Sequence, residues 1–393
     1  MIKMWEKTFI SAFIAQILSI VGFSFAIPFL PFFISELGIK EISEQSYWAG
    51  IILSASGFTF TIFSPLWGHF ADKYGKKVMV IRSMLGGTLV LFLMSIVKNV
   101  KQLLICRFLQ GALTGTIVAS VTLVASVVPV EKSGFTLGMM QAAVSIGNSI
   151  GPLIGGFLSD RFGYRNTFRI GGLIILLGGI LVFLFAEEKF NKNSIDEKIS
   201  FKDIIKINGF WIATLIMFSV RLSNTILNPS FPLVVKEITF SEKLNTITGV
   251  IMGVAAIVEG ISAALLGNIA DKIGYLRMIT NCFILASIAS LGHFFVNSPV
   301  QLLFFRILFV GSVAGILPAV NSLIKIIADD KSIGKAYGLV TSISMLGFAF
   351  GPLIGGYTGK ILGIRTPFLI TSIFHALLSF TVIKISKNKG GDL

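Results

Sequence analysis

Gly151-Pro152-Leu153-Ile154-Gly155-Gly156 returns, residue for residue, as Gly351-Pro352-Leu353-Ile354-Gly355-Gly356. The match extends outward at the same offset of 200. Gly134, Gly138, Gly147, Gly163, Arg165 and Phe168 fall on Gly334, Gly338, Gly347, Gly363, Arg365 and Phe368, giving twelve identities in 35 positions. At an offset of 199, Gly68-His69-Phe70-Ala71-Asp72-Lys73-Tyr74-Gly75 falls on Gly267-Asn268-Ile269-Ala270-Asp271-Lys272-Ile273-Gly274, and Arg107 falls on Arg306. The chain is one structural unit written twice, and that repeat governs every other reading.

The unit is a membrane one. Of the 393 residues 54% are hydrophobic and 13% charged, against about 25% charged in soluble domains, and the mean hydropathy is +0.86. A soluble enzyme is excluded. Crossing a hydrocarbon core takes about 20 apolar residues, and twelve such segments are expected at 8–35, 47–67, 78–97, 101–127, 135–158, 167–186, 209–235, 245–267, 277–296, 300–327, 335–359 and 365–386. The first run is longer than a signal-peptide core and no small-residue cleavage site follows it, so it reads as a retained span. The expected fold is all-α: an N-terminal six-helix half over 1–187, a cytoplasmic linker over 188–208 and a C-terminal six-helix half over 209–393.

The formal charge of +14 is explained by topology rather than by a nucleic-acid partner. Summed over alternate loops, about 19 Lys and Arg lie on the side of the termini and about 10 on the other, which places both termini in the cytoplasm. Cys106 and Cys282 each lie in an apolar run, and His69, His293 and His375 are far apart, so neither a metal site nor a cofactor is expected. Two parallel six-span halves describe a class of secondary transporter that binds its substrate near the midplane.

Three motifs carry a resemblance. Gly68-His69-Phe70-Ala71-Asp72-Lys73-Tyr74-Gly75-Lys76-Lys77 resembles the signature between the second and third spans of the major facilitator superfamily. Arg107-Phe108-Leu109-Gln110-Gly111 is similar to a pattern of its proton-coupled members. Gly147-Asn148-Ser149-Ile150-Gly151-Pro152-Leu153-Ile154-Gly155-Gly156 resembles an element of its drug:proton antiporters. The resemblance implies a cytoplasmic gate formed by Gly68, Asp72, Lys73, Gly75, Lys76 and Lys77, with Asp271 as the weaker copy. Asp72 sits where a carboxylate can cap a neighbouring helix or pair with an arginine. The resemblance further implies a bacterial multidrug-efflux antiporter of the cytoplasmic membrane, acting as a monomer on a small molecule and protons. Gly147, Gly151 and Gly155 form one smooth stripe with Pro152 and Gly156 beside it, suited to conformational exchange or, more plainly, to close packing.

A charge within a span costs at least a few kcal/mol, so Arg107, Arg221, Glu259 and Arg306 are functional candidates by default. Arg107 and Arg306 share a repeat position, which favours a scaffold or gate. Arg221 and Glu259 break the symmetry, since their counterparts fall near Gly22 and Phe60. Loss of water disfavours a carboxylate and a mobile arginine favours it again. Arg221 and Glu259 are therefore expected to form a proton switch, or a static pair that fastens two helices, with Arg107 also in proton coupling. Gln16, Gln141, Asn148, Asn224 and Asn228 are the candidate cavity residues. Their sparseness among Phe, Met and Leu suits hydrophobic or amphipathic drugs. The three arginines favour the alternative, a transporter of an anionic metabolite or siderophore.

Overall fold

The structure is a computed structural model that describes residues 3–25, 27–188, 204–207, 209–327 and 333–388, so the expected linker over 188–208 falls largely outside it. Every regular element among the described residues is helical. In order these are α1 (Met4–Ser24), a 3-10 turn (Ile27–Phe29), α2 (Leu30–Glu36), α3 (Ile42–Tyr74), α4 (Lys76–Ile96), α5 (Val100–Leu113), α6 (Thr116–Val127) and α7 (Val130–Phe185). There follow α8 (Phe210–Ile226), α9 (Phe231–Glu237), α10 (Leu244–Ile273), α11 (Tyr275–Phe294), α12 (Pro299–Ala314), α13 (Ile316–Ile327), α14 (Ile333–Ser344), α15 (Leu346–Leu362) and α16 (Thr366–Asn388).

Eleven helical stretches among the described residues are long and apolar enough to cross a membrane. One of them, α7, has 56 residues, roughly 84 Å at 1.5 Å per residue, far more than the ~30 Å hydrocarbon core. It turns at Gly163, where φ is 76° and ψ 164°, a backbone that glycine adopts without strain. Counted as two crossings, it brings the total to the expected twelve.

The repeat is visible in local chemistry. Asn99 caps α5 by accepting from the Gln102 amide at 3.0 Å, and Ser298 caps α12 by accepting from the Gln301 amide at 3.3 Å. Each glutamine reaches back, to the amides of Lys98 and Asn297 at 2.7 and 2.8 Å, so both helices start from the same reciprocal cap. Arg165 Nε lies 3.1 Å from Glu36 and its Nη1 donates to the Ser95 carbonyl at 3.1 Å. Arg365 repeats both contacts, at 3.0 Å from Glu237 and 3.0 Å from the Phe294 carbonyl.

The chain forms two compact units: Met1–Ile39, Ala55–Ile195 and Ser241–Gly253 in the first, Lys40–Ser54, Asp196–Phe240 and Val254–Leu393 in the second. Within the first, α7 packs along α1 and α4, burying Phe25, Phe29, Phe33 and Phe168. Within the second, α15 packs along α8 and α16 along α11, burying Phe210, Phe283, Phe309 and Phe368. Lipid tails are as apolar as leucine, so such helices associate through close fit rather than through expulsion of water.

Candidate functional site

Close fit is marked along the glycine stripes. A methyl group at Gly147 of α7 would stand 2.6 Å from the Ile20 side chain, and at Gly151 and Gly155 it would run into Ser24 and the Phe25 carbonyl. The second repeat does the same: a methyl at Gly347 of α15 would stand 2.7 Å from the Leu222 amide, and at Gly351 and Gly355 it would run into the Thr225 hydroxyl and the Ile226 carbonyl. Ile20 beside Gly147 and Arg221 beside Gly347 hold equivalent positions in the two repeats, the Arg221 Cβ lying 3.0 Å from where a methyl at Gly347 would stand; the linear offset pointed two residues away, to Gly22. Beside the first stripe and within the same unit, the Pro152 carbonyl approaches Gly249, and Gly156 abuts the Asn245 carbonyl.

Arg107 of α5 is 4% exposed, and its guanidinium is held on both sides. Nη1 donates to Gln110 Oε1 at 2.6 Å and Nη2 to Ser56 Oγ at 2.9 Å. Gly111 permits the approach, because a methyl there would overlap the Thr59 hydroxyl and the Ser56 carbonyl of α3. The Arg-x-x-Gln-Gly run is thus a docking element between two helices.

Arg306 of α12 has the same repeat position and different company. The offset of 199 replaces Ser56 with Ala255 and Gln110 with Phe309. Its guanidinium lies 4.9 Å from the Phe231 ring centre and 5.8 Å from that of Phe309, a cation-over-ring placement. Nε and Nη1 are buried without a hydrogen-bond acceptor among the described residues. Among the described residues Arg306 makes no ion pair with Glu259.

The expected pairing of Glu259 with Arg221 is therefore corrected. Arg221 Nε donates to Ser344 Oγ at 3.1 Å, and its guanidinium lies 5.1 Å from the Phe348 ring centre. The cause is helix rotation: α8 packs along α14 and α15, and Arg221 stands on that face, beside Gly347.

Helix periodicity separates two kinds of exposed face. On α10, Ile257, Ile261 and Leu265 are 48%, 56% and 59% exposed, an apolar stripe suited to lipid. Glu259 is also exposed, but it stands about 200° around the helix from Ile257 at 100° per residue, so the acid is off that stripe. On α7 the pattern recurs: Ile146, Ile150 and Ile154 form the apolar stripe, while Gln141 and Asn148 are exposed and Asn148 stands about 200° from Ile146. A polar exposed face on a membrane helix fits water rather than lipid. Asn224 and Asn228 are half-buried. Gln16 departs from the cavity expectation, being wholly buried with neither amide atom partnered among the described residues.

At the expected gate, Gly75 takes φ 96° and starts α4. The Lys76 and Lys77 amides at that helix start donate to the Glu188 carboxylate at 3.0 and 2.8 Å, a carboxylate at a helix N-terminus. The expected helix cap thus comes from Glu188, 112 residues on, whereas Asp72 and Lys73 are exposed near the end of α3 and Asp72 makes no hydrogen bond or ion pair among the described residues. Gly68 is exposed. Asp271, the copy of Asp72, accepts from the Tyr275 hydroxyl at 2.9 Å.

Sequence reading also missed Asp160. Its carboxylate caps α10, accepting from the Asn245 amide and side chain at 3.2 and 2.7 Å and from the Thr246 amide and hydroxyl at 2.7 and 2.6 Å. The repeat copy is Lys360, which in the other unit lies 2.7 Å from Glu44 and 4.4 Å from the Tyr47 ring centre. The offset of 200 lines up an acid with a base, and that inversion was the available signal.

The family model described as Major Facilitator Superfamily matches residues 12–220 and again 213–390. The Multidrug resistance protein MdtG of Escherichia fergusonii is 30% identical over 97% of this chain and 95% of its own length, and that of Citrobacter koseri is 29% identical over 97% and 96%. Among solved structures, a bacterial homolog to the human lysosomal transporter Spinster matches with a TM-score of 0.81 at 13% identity, covering 96% of each chain. The human organic anion transporter MFSD10 matches with a TM-score of 0.69 at 17% identity, covering 97% of this chain and all of its own.

Proposed function

Since the chain belongs to the major facilitator superfamily, and so is a multi-pass membrane transporter of small molecules rather than an enzyme, we propose that it exports hydrophobic or amphipathic drugs in exchange for protons by alternating access. The relatives at 29–30% identity carry the name multidrug resistance, which supports the substrate class. The observation that carries proton exchange is Glu259, an acid within a span, exposed on a face other than the lipid stripe of its helix. Such an acid can load a proton from a water-filled recess and release it when its surroundings change.

The anionic-metabolite reading rested on three arginines. Arg107 is engaged by Gln110 and Ser56, and Arg221 by Ser344, which leaves Arg306 as its support. In the proposed reading Arg107 keeps α5 in register with α3, Gln141, Asn148, Asn224 and Asn228 supply the polar contacts of the cavity, and the region of Asp72, Lys73 and Asp271 forms the cytoplasmic gate. The glycine stripes let α7 and α15 stay in contact with α1 and α8 while the halves exchange positions. The protein acts as a monomer in the bacterial cytoplasmic membrane, both termini inside.

The test is transport into inside-out vesicles under an imposed pH gradient, with cationic, neutral and anionic compounds in parallel. Gradient-driven uptake of lipophilic cations or neutral amphipathic compounds is expected. Uptake confined to anions would install the alternative.

A further inference from the structure

The fourth span of each repeat is interrupted, and the two interruptions differ. In the first repeat α5 ends at Leu113, Thr114 is extended at φ −99° and ψ −155°, and Gly115 takes φ 116° before α6 starts at Thr116. In the second the chain passes from α12 to α13 through Gly315 at φ −73° and ψ −19°, still in the right-handed helical region. A break inside a span leaves the carbonyls of the helix end without amide partners, and lipid offers none. Two side chains of the same unit supply them. Trp67 Nε1 donates to the Ala112 carbonyl at 2.6 Å, and Arg82 Nη1 donates to the next carbonyl, Leu113, at 3.1 Å. The guanidinium lies 3.6 Å from the centre of the Trp67 ring, so the two donors are stacked on each other. Gly86, one turn after Arg82, lets α4 come this close, since a methyl there would stand 2.7 Å from the same Leu113 carbonyl.

The copy lacks these parts. At the offset of 199, Trp67, Arg82 and Gly86 become Leu266, Asn281 and Leu285, and Gly115 becomes Ala314. Leu266 packs on the backbone instead: a methyl at Gly315 would stand 2.8 Å from its side chain. The open break and its two donors occur together in one repeat and are absent together from the other. A span that stays helical needs neither donor, as the second repeat shows, so folding alone does not call for the arrangement.

The place of the two donors in the chain supplies the function. Trp67 directly precedes Gly68, and Arg82 lies five residues beyond Lys77, so they stand at the roots of the two arms of the loop over 68–77. Arg107 and Gly111 already tie α5 to α3. Beyond the break the partner changes: the Thr116 hydroxyl at the start of α6 accepts from Ser19 of α1 at 2.8 Å. Resting on the reading of this loop as the cytoplasmic gate, we infer that Trp67 and Arg82 are positioning residues of the gate, a clamp that fixes both of its arms on the end of α5. Gate and α5 then move as one body, while the break at Thr114 and Gly115 lets α6 stay with α1.

The test separates the clamp from the charge. Arg82→Lys keeps the cation and loses the planar fork; Trp67→Phe keeps an aromatic ring and loses the N–H. In the full chain with Cys106 and Cys282 replaced by serine, nitroxide labels at the exposed positions His69 and Lys101 report the gate arm against α5, and labels at Asn268 and Val300 report the same places in the second repeat. Each variant is expected to broaden the 69–101 distance distribution at least about twofold and to leave 268–300 as in the parent chain, because lysine and phenylalanine cannot rebuild the stacked pair of donors. In the unlabelled variants, uptake of the lipophilic cation tetraphenylphosphonium into inside-out vesicles should lose at least about fivefold in maximal rate at an unchanged half-saturating concentration, since a misplaced gate slows the exchange of states without touching the cavity. A 69–101 distribution as narrow as the parent's in whichever variant folds would overturn the clamp. Broadening of 69–101 with uptake at the wild-type rate would instead overturn the gate reading on which the inference rests.

Discussion

The two repeats agree where they build the scaffold and part where a charge faces the interior. Arg165 and Arg365 make the same ion pair and the same carbonyl contact to within 0.1 Å, and the two glycine stripes meet α1 and α8 with the same lack of room. Arg107 and Arg306, equally matched in sequence, share no partner chemistry: one is tied by Gln110 and Ser56, the other rests on two phenylalanine rings. An unmade bond to a buried donor costs about 1–3 kcal/mol. Retaining such a group without its partners is unfavourable for folding alone, and this is the physical reason to assign it a role in function.

The shared scaffold is where substitution should cost most, and equally in both halves. Gly155→Val and Gly355→Val place a branched side chain where even a methyl would meet the carbonyls of Phe25 and Ile226. Overpacking costs about 1–3 kcal/mol and more where backbone is the obstacle, so both variants are expected to lose most of their folded, monodisperse protein in detergent. Folding in one repeat only would end the equivalence of the stripes. A smaller and unequal effect is expected from Arg107→Ala and Arg306→Ala. The first leaves a buried Gln110 side chain without its cation and should lower stability by about 2–3 kcal/mol. The second removes two unsatisfied donors and should leave the thermal midpoint unchanged or higher. Equal losses would show that Arg306 is a scaffold group like its copy. Smallest are Arg165→Ala and Arg365→Ala, which remove partly exposed ion pairs worth about 1 kcal/mol or less. Their thermal shifts should match each other, and a clear difference would separate the two anchors.

Much of this was legible in the sequence. The glycine and arginine identities gave the duplication, apolar run length gave twelve spans, and the loop from Gly68 to Lys77 gave the family. What escaped was the direction in which side chains point. Span assignment set Arg221 and Glu259 on neighbouring helices, but which neighbour a residue faces depends on rotation about the helix axis, and packing of α8 on α14 and α15 turns Arg221 to Ser344. Gln16 read as a polar cavity residue because its amide was visible and its burial was not. Glu188 and Asp160 cap helices 112 and 85 residues away, and no local pattern announces a partner at that separation. The loss of anchors around Arg306 was written in the offset of 199, but its meaning required knowing that Ser56 and Gln110 are the atoms that hold Arg107.

The measurement that bears most directly on the transport mechanism is proton flux through Glu259. Purified wild type and Glu259→Gln are reconstituted in liposomes enclosing a pH-sensitive dye, and a compound found transported in the vesicle panel is added as a downhill gradient. Wild type is expected to move protons against the compound. Glu259→Gln, which stays neutral at every pH, is expected to carry the compound downhill with no accompanying pH change. Proton movement at the wild-type rate in Glu259→Gln would contradict the account and place the coupling elsewhere in the chain.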